Sequence, residues 1–240
     1  MRGSIHSMET LSGTDGPGIR TVVFMQGCPL RCQYCHNPDT WKAGELSIST
    51  SELMQKLNRY KPYYGKDGGI TLSGGEPFMQ AEFAGSLLRL AKENNINTAV
   101  DTSGYFLNDY VKTALEFTDL VLLDIKHTDS NSYKQLTGTD ISQSIKFLDY
   151  IKRIQKPVWI RQVILPNIND TDEQIIKLTH LIKGANIKKV ELLPYHTLGV
   201  YKWGKLGLDY PLKNILPPTE EIMARLNKII NSFMLDEYMI

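Results

Sequence analysis

Six short runs of apolar and β-branched residues punctuate the chain, at Arg20–Gln26, Gly69–Leu72, Thr98–Asp101, Leu120–Asp124, Val158–Ile164 and Val190–Leu193. Each is followed by a loop or by a stretch with apolar residues at helical spacing, near Ser49–Tyr60, Met79–Asn94, Asn108–Phe117, Ser142–Gln155, Thr171–Lys183 and Thr219–Phe233. Strands alternating with helices predict right-handed βαβ units and a parallel sheet. Six units are too few for a closed (β/α)8 barrel. The pattern therefore predicts an α/β chain built as an incomplete (β/α)6, TIM-like barrel with parallel strands, with an open doubly wound sheet as the alternative. Pro217-Pro218-Thr219-Glu220-Glu221 reads as a stop, then an N-cap with acidic first-turn residues, opening a C-terminal helix over about 219–233. Gly65–Gly69 and Leu198–Pro218 read as mobile loops.

The length of 240 residues fits one domain spanning 1–240. Apolar residues at 42% and charged residues at 22% suit a globular chain with a sizeable core. A net charge of +1, with basic residues dispersed, gives no footprint for nucleic acid or anionic membrane. No apolar stretch is long enough to span a bilayer, and the N-terminus lacks the order of a signal peptide, so a cytoplasmic location is expected. The chain has three cysteines, Cys28, Cys32 and Cys35, all within eight residues. In a reducing compartment an odd, tightly spaced set points to a metal rather than to disulfides.

In both candidate folds, function belongs at the carboxyl ends of the strands. There, or in the turns that follow, the sequence places Cys28 to Cys35, Ser73-Gly74-Gly75-Glu76, Asp101-Thr102, Asp124-Ile125-Lys126, Arg161 and Tyr195-His196. A cluster of four irons and four sulfides is normally held by one thiolate per iron. Three cysteines spaced C-x3-C-x2-C leave one iron open, as catalytic metal sites keep a vacancy that structural sites lack. A structural zinc site needs four ligands, and His36, adjacent to Cys35, is poorly placed to share a tetrahedron with it. A ferredoxin-like carrier needs a fourth cysteine, and the chain has none.

Cys28-Pro-Leu-Arg-Cys32-Gln-Tyr34-Cys35-His36-Asn resembles the cysteine signature of radical S-adenosylmethionine enzymes, and Gly74-Gly75-Glu76-Pro77 resembles their glycine-glycine-glutamate-proline motif. The resemblance extends over almost the whole chain to the pyruvate formate-lyase-activating family. It runs through Ile5-His-Ser7, Asp15-Gly-Pro-Gly-Ile-Arg20, Asp39-Thr-Trp41, Val158-Trp-Ile-Arg161 and Glu191-Leu-Leu-Pro-Tyr-His196. It implies one 4Fe-4S cluster on Cys28, Cys32 and Cys35, with S-adenosylmethionine chelating the open iron. Gly75 and Glu76 would contact the amino group of its methionine part. Asp101, Thr102 and Asp124 would lie near its carboxylate and help hold a monovalent cation, with Ile125 and Lys126 alongside. His196 would contact the nucleoside end, flanked by Tyr34 and His36. Asp15 and Arg161 would hold the backbone of a glycine loop of the protein substrate. Plainer readings stand beside these: a tight turn at Gly74-Gly75, helix caps at Asp101 or Asp124, a surface ion pair at Arg161. His6, His127 and His180 read as structural.

The resemblance implies a glycyl-radical activase. In that family a donor such as flavodoxin or ferredoxin reduces the cluster, S-adenosylmethionine is cleaved to methionine and a 5′-deoxyadenosyl radical, and the radical takes hydrogen from a glycine of formate acetyltransferase (pyruvate formate-lyase). No acid or base residue is required. No cysteine lies between Cys35 and Gly74 or in the C-terminal third, so no second cluster is expected. The alternatives are an activase for another glycyl-radical enzyme, a small-molecule radical enzyme, or an iron-sulfur sensor.

Overall fold

The computed structural model describes residues 1–42, 44 and 47–238. The elements are β1 (Arg2–Ser12), β2 (Arg20–Met25), β3 (Ser47–Ser49), α1 (Thr50–Asn58), β4 (Gly69–Gly74), α2 (Ala81–Glu93), β5 (Asn97–Thr102), α3 (Asp109–Glu116), β6 (Leu120–Asp124), α4 (Ser130–Thr137), α5 (Ser142–Arg153), β7 (Val158–Ile164), α6 (Asp172–Ile182), β8 (Ile187–Pro194), α7 (Val200–Lys205) and α8 (Glu220–Tyr238). The predicted strands correspond to β2 and β4 through β8. The fold is α/β with an open, mostly parallel sheet, the incomplete TIM-like class.

The chain divides into two compact units, Met1–Pro29 with Thr40–Leu123, and Leu30–Asp39 with Asp124–Ile240. In the first, β2, β4, β5 and β6 run parallel, registered as Met25↔Gly74, Leu72↔Val100 and Thr102↔Leu123. Val22, Val23, Ile70, Leu72, Ala99 and Val100 are wholly buried, as strands covered on both faces require. A polar strand absent from the sequence reading, β1, pairs antiparallel with β2 through two register shifts, and with β3 through Arg2–Ser4. Arg20, which opens β2, is a fully buried cation. Its guanidinium donates to Thr71 Oγ1 at 2.7 Å, Ile70 O at 2.7 Å, Pro17 O at 3.0 Å and Asn97 Oδ1 at 3.0 Å. Burial lowers its pKa to about 10. The segment preceding β2 is thereby tied to β4 and β5.

In the second unit β7 and β8 are parallel, from Val158↔Ile187 to Ile164↔Pro194. Ile125 N–H, just past β6, donates to Arg161 O at 2.8 Å. The core takes Val158 and Ile160 from β7, Phe147 and Ile151 from α5, Ile175, Leu178 and Ile182 from α6, and Leu226 and Ile230 from α8. Two helices here were not predicted. One, α4, is set by local chemistry: Asp129 accepts from Ser132 N–H at its start, and Gly138, at φ 76°, ends it in the left-handed conformation. The other, α7, lies within Leu198–Pro218, which the sequence reads as a mobile loop. As predicted, Thr219 caps α8, its hydroxyl accepting from Ile222 N–H at 3.3 Å, but the helix runs past Phe233 to Tyr238.

Candidate functional site

In the first unit, the ends of β2 and β4 are locked together by backbone. Gly27 N–H donates to Thr40 O at 2.7 Å and Cys28 N–H to Trp41 O at 3.2 Å, which fixes the start of the cysteine loop. The turn after β4 lies directly on it: Gly75 N–H donates to Met25 O at 3.0 Å and Glu76 N–H to Gly27 O at 2.8 Å. A Cβ on Gly74, at φ 112°, would fall 2.4 Å from Met25 N, and one on Gly75 would fall 2.2 Å from Gly27 O. Both glycines are therefore demanded by the protein's own backbone, before any ligand is considered.

Glu76 is 1% exposed. Its Oε1 accepts from Phe78 N–H at 3.1 Å and Thr102 Oγ1 at 2.7 Å, and its Oε2 from Ser103 N–H at 2.9 Å and Ser103 Oγ at 2.6 Å. An ionised carboxylate has about four acceptor positions. Here all are taken, as are the Gly75 and Glu76 N–H groups, so the turn is held by the protein's own hydrogen bonds. Ser103 was not named from the sequence. Ser73 Oγ, at the end of β4, donates to Asp101 Oδ2 at 3.0 Å, so Asp101 and Thr102 lie on the same strand ends as the turn. Asp15 belongs to a different neighbourhood. Its carboxylate accepts from Ser12 Oγ at 2.5 Å and Thr14 Oγ1 at 3.3 Å, and its carbonyl accepts from Thr71 Oγ1, which itself takes the Arg20 Nε–H.

In the second unit the rest of the cysteine loop rests on α4: Arg31 N–H donates to Thr137 O at 2.7 Å and Gln33 N–H to Leu136 O at 2.9 Å. Cys35 N–H turns back to Cys32 O at 3.0 Å. None of the three cysteines forms a disulfide. Among the described residues no three His, Cys, Asp or Glu side chains converge as ligands of a single metal ion.

Beside this loop, Lys126 forms an ion pair with Asp124 and lies 5.6 Å from the Tyr34 ring centroid. Burial opposes the ammonium charge, but Asp124, Tyr34 and Cys32 outweigh it and hold the Lys126 pKa well above its ordinary value. Burial pushes the Tyr34 phenol up. The His36 and His196 rings stack at 3.9 Å and 21°, with His36 Nε2 3.0 Å from His196 O. Burial lowers the His36 pKa, against the hydrogen bond to the His196 carbonyl, which raises it, and the charges of His196, Lys126 and Lys202 add to the lowering. Tyr34 OH, Asp124 Oδ1 and His196 Nδ1 are buried atoms that no described group bonds, as is Gln162 Oε1 on β7.

Ile125 is buried beside Tyr133, Ile141 and Leu148, and its carbonyl accepts from Gln162 Nε2 at 3.1 Å, so it supports its neighbours. Arg161 Nε donates to Glu191 at 3.0 Å, and Lys189 shares that carboxylate. Neither Asp101 nor Asp124 caps a helix: the caps are Asn108 for α3 and Asp129 for α4. His127 is structural, its Nδ1 accepting from Asp129 N–H at 2.9 Å. Three further residues, Trp203, Lys202 and Asn37, grip the loop: Trp203 Nε1 donates to Cys35 O at 2.9 Å, and Lys202 Nζ to Asn37 Oδ1 at 2.7 Å.

Within the second unit, the thiols of Cys32 and Cys35 and the open buried atoms of Tyr34, Asp124 and His196 are the donor chemistry that a metal group with a small polar cosubstrate needs. Residues 22–179 match the Radical SAM superfamily, and the chain belongs to it. Within that superfamily it is 50% identical over 235 residues to a pyruvate formate-lyase-activating enzyme of Clostridium pasteurianum, covering 97% of this chain and 98% of that protein. It is 42% identical to the enzyme of that name from Staphylococcus epidermidis, with 96% of each covered. Among solved structures, Streptococcus suis SuiB bound to its precursor peptide SuiA matches with a TM-score of 0.69 at 19% identity, over 90% of this chain and 45% of that one. That likeness bears on fold alone. Membership makes the chain a radical SAM enzyme, a class defined by a 4Fe-4S cluster and S-adenosylmethionine.

Proposed function

We propose that the chain is a glycyl-radical activase whose partner is the glycine loop of pyruvate formate-lyase, and that residues 1–240 act as one radical SAM domain. The carrying observation is that, among the described residues, three of the four with a buried polar atom left without a partner, Tyr34, Asp124 and His196 but not Gln162, are expected cofactor contacts. Buried polar groups are otherwise paired almost without exception. Near-complete coverage of relatives named pyruvate formate-lyase-activating enzyme supports the choice of partner.

Cys28, Cys32 and Cys35 would hold the cluster. When bound and reduced, it supplies the electron that cleaves S-adenosylmethionine to methionine and a 5′-deoxyadenosyl radical, which takes a hydrogen atom from the partner's glycine. The chain's own residues orient and exclude. Asp101, Asp124 and Lys126 bear charges that match a zwitterionic ligand, with a monovalent cation, helped by Thr102, relieving the carboxylates. Gly75 and Glu76 are the candidates for contacting the amino group of the ligand's methionine part, on a turn that the protein's own hydrogen bonds already hold in place. His36 and His196 offer a stacked, partly desolvated surface to a nucleoside. Arg161, shared with Glu191, and Asp15 are the candidates for gripping the peptide. A flavodoxin or ferredoxin would supply electrons. The location we propose is cytoplasmic; among the described residues no helix is long and apolar enough to cross a membrane.

The test is anaerobic reconstitution with iron and sulfide, followed by electron paramagnetic resonance with S-adenosylmethionine and pyruvate formate-lyase. A four-iron signal and a glycyl radical on the partner are expected. A cluster without a glycyl radical would sink the partner assignment, and absence of a cluster would sink the whole reading. Changing any one of the three cysteines to Ala should abolish methionine release.

A further inference from the structure

The segment from Tyr195 to Tyr210 holds the second half of the cysteine loop through several separate interactions. His36 Nε2 meets His196 O at 3.0 Å while the two rings stack. Gly199 lies so close that a Cβ there would fall 2.6 Å from His36 Cα. Lys202 Nζ reaches Asn37 Oδ1 at 2.7 Å and Asp39 Oδ2 at 3.1 Å. The segment is itself braced. The Trp203 and Tyr210 rings meet edge to face at 5.2 Å, and the Tyr210 hydroxyl lies 2.8 Å from that of Tyr195, both tyrosines being buried.

Among these interactions, one is aimed at a thiol-bearing residue. Trp203, 5% exposed, donates its indole N–H to the Cys35 carbonyl at 2.9 Å. Cys35 is thus fixed at both ends, its N–H on Cys32 O and its carbonyl on Trp203. With the backbone fixed, the thiol is confined to the staggered positions of a single χ1 torsion. The indole dipole also presents its positive end to the carbonyl of a ligand residue. Groups of this kind, one layer out from the metal, orient ligands and tune affinity and potential.

We infer that Trp203 is a positioning residue for Cys35, one that sets the direction of its thiolate and the potential of the metal group bound there. The inference rests on the cysteine loop holding a cluster. Removing the N–H takes the positive end of the indole dipole away from the Cys35 carbonyl near the cluster, which disfavours the more negative reduced state.

The experiment compares the reconstituted parent holoenzyme with W203F, with a variant carrying 3-benzothienylalanine at position 203, and with Y210F. Benzothienylalanine keeps the shape of tryptophan without the N–H, so it tests the bond even if W203F does not fold. Y210F loosens the same segment by removing the hydroxyl pair while leaving the indole N–H in place. Both position-203 variants should show a lower cluster midpoint potential, an altered reduced-state paramagnetic spectrum, and chelator-driven iron release about tenfold faster than the parent. Y210F should match the parent's potential and spectrum. The inference is overturned if the benzothienylalanine variant has the parent's potential and spectrum, or if Y210F shifts them as far. If the parent itself forms no cluster, the functional reading fails and this inference fails with it. A parent with a cluster and an unaltered variant removes this inference alone.

Discussion

The buried polar groups of the two units differ in how completely they are satisfied. In the first unit the Glu76 carboxylate receives four hydrogen bonds and the five N–H donors of the Arg20 guanidinium make six contacts, so both ions are buried at full complement. In the second, Tyr34 OH, Asp124 Oδ1 and His196 Nδ1 are buried and open. A satisfied buried network rigidifies, and its cost falls due only when a member is removed. An open group carries its desolvation cost in the free protein and recovers it when a ligand arrives. The first set is therefore architecture for the turn at Gly74–Glu76, and the second is capacity for binding.

That contrast can be broken by mutation. The largest effect is expected for R20M, which leaves the acceptors on Pro17, Ile70, Thr71 and Asn97 unpaired; denaturant unfolding should show a loss of about 3–5 kcal/mol. A loss below about 1 kcal/mol, the worth of one ordinary hydrogen bond, would mean that the network is not structural. E76Q turns an amide donor toward groups that are themselves donors, and should cost about 1–3 kcal/mol. Y34F should behave oppositely, staying within about 0.5 kcal/mol of the parent. Its S-adenosylmethionine affinity, measured by equilibrium dialysis of the reconstituted enzyme, should drop about fivefold, the worth of one hydrogen bond. Should Y34F destabilise more than E76Q, the distinction between the units fails.

The smallest expected effect concerns pH. Burial holds the His36 pKa below its ordinary value of 6.5. The unfolded chain therefore binds the extra proton first as pH falls. Stability from this group is full above about pH 6.5 and declines as pH drops toward the folded pKa. A melting profile from pH 8 to pH 5 should flatten on the acid side in H36Q, and an unchanged acid limb would remove His36 from the account.

The parallel strands and their helices were legible because burial on both faces forces long apolar runs, and β6 and β7 fall where the sequence puts them. By contrast, β1 was not, since Arg2–Ser12 is largely polar and becomes a strand by pairing with β2. Nor was α7, whose six residues contain Gly204 and are too few for a helical period to emerge. The cysteine loop, the double glycine and the strand-end aspartates were visible because their chemistry is specialised. Saturation of Glu76 was hidden, as its partners Thr102 and Ser103 lie 26 and 27 residues away. The grip on Cys35 was hidden more deeply, since Trp203 lies 168 residues away and reads as an ordinary apolar side chain.

The packing of Gly75 against the Gly27 carbonyl has a practical consequence for anyone recombining this chain. Positions 27 and 75 sit in segments that a chimera or a shuffled library would inherit from different parents. With 2.2 Å between a Cβ at 75 and the carbonyl at 27, a parent that supplies any side chain at position 75 will displace the strand end that leads into Cys28. Crossovers between the two segments will therefore survive only when the donor of the second segment carries glycine at 75, and a screen for iron incorporation should return that requirement before it returns any preference at the cysteines' intervening residues.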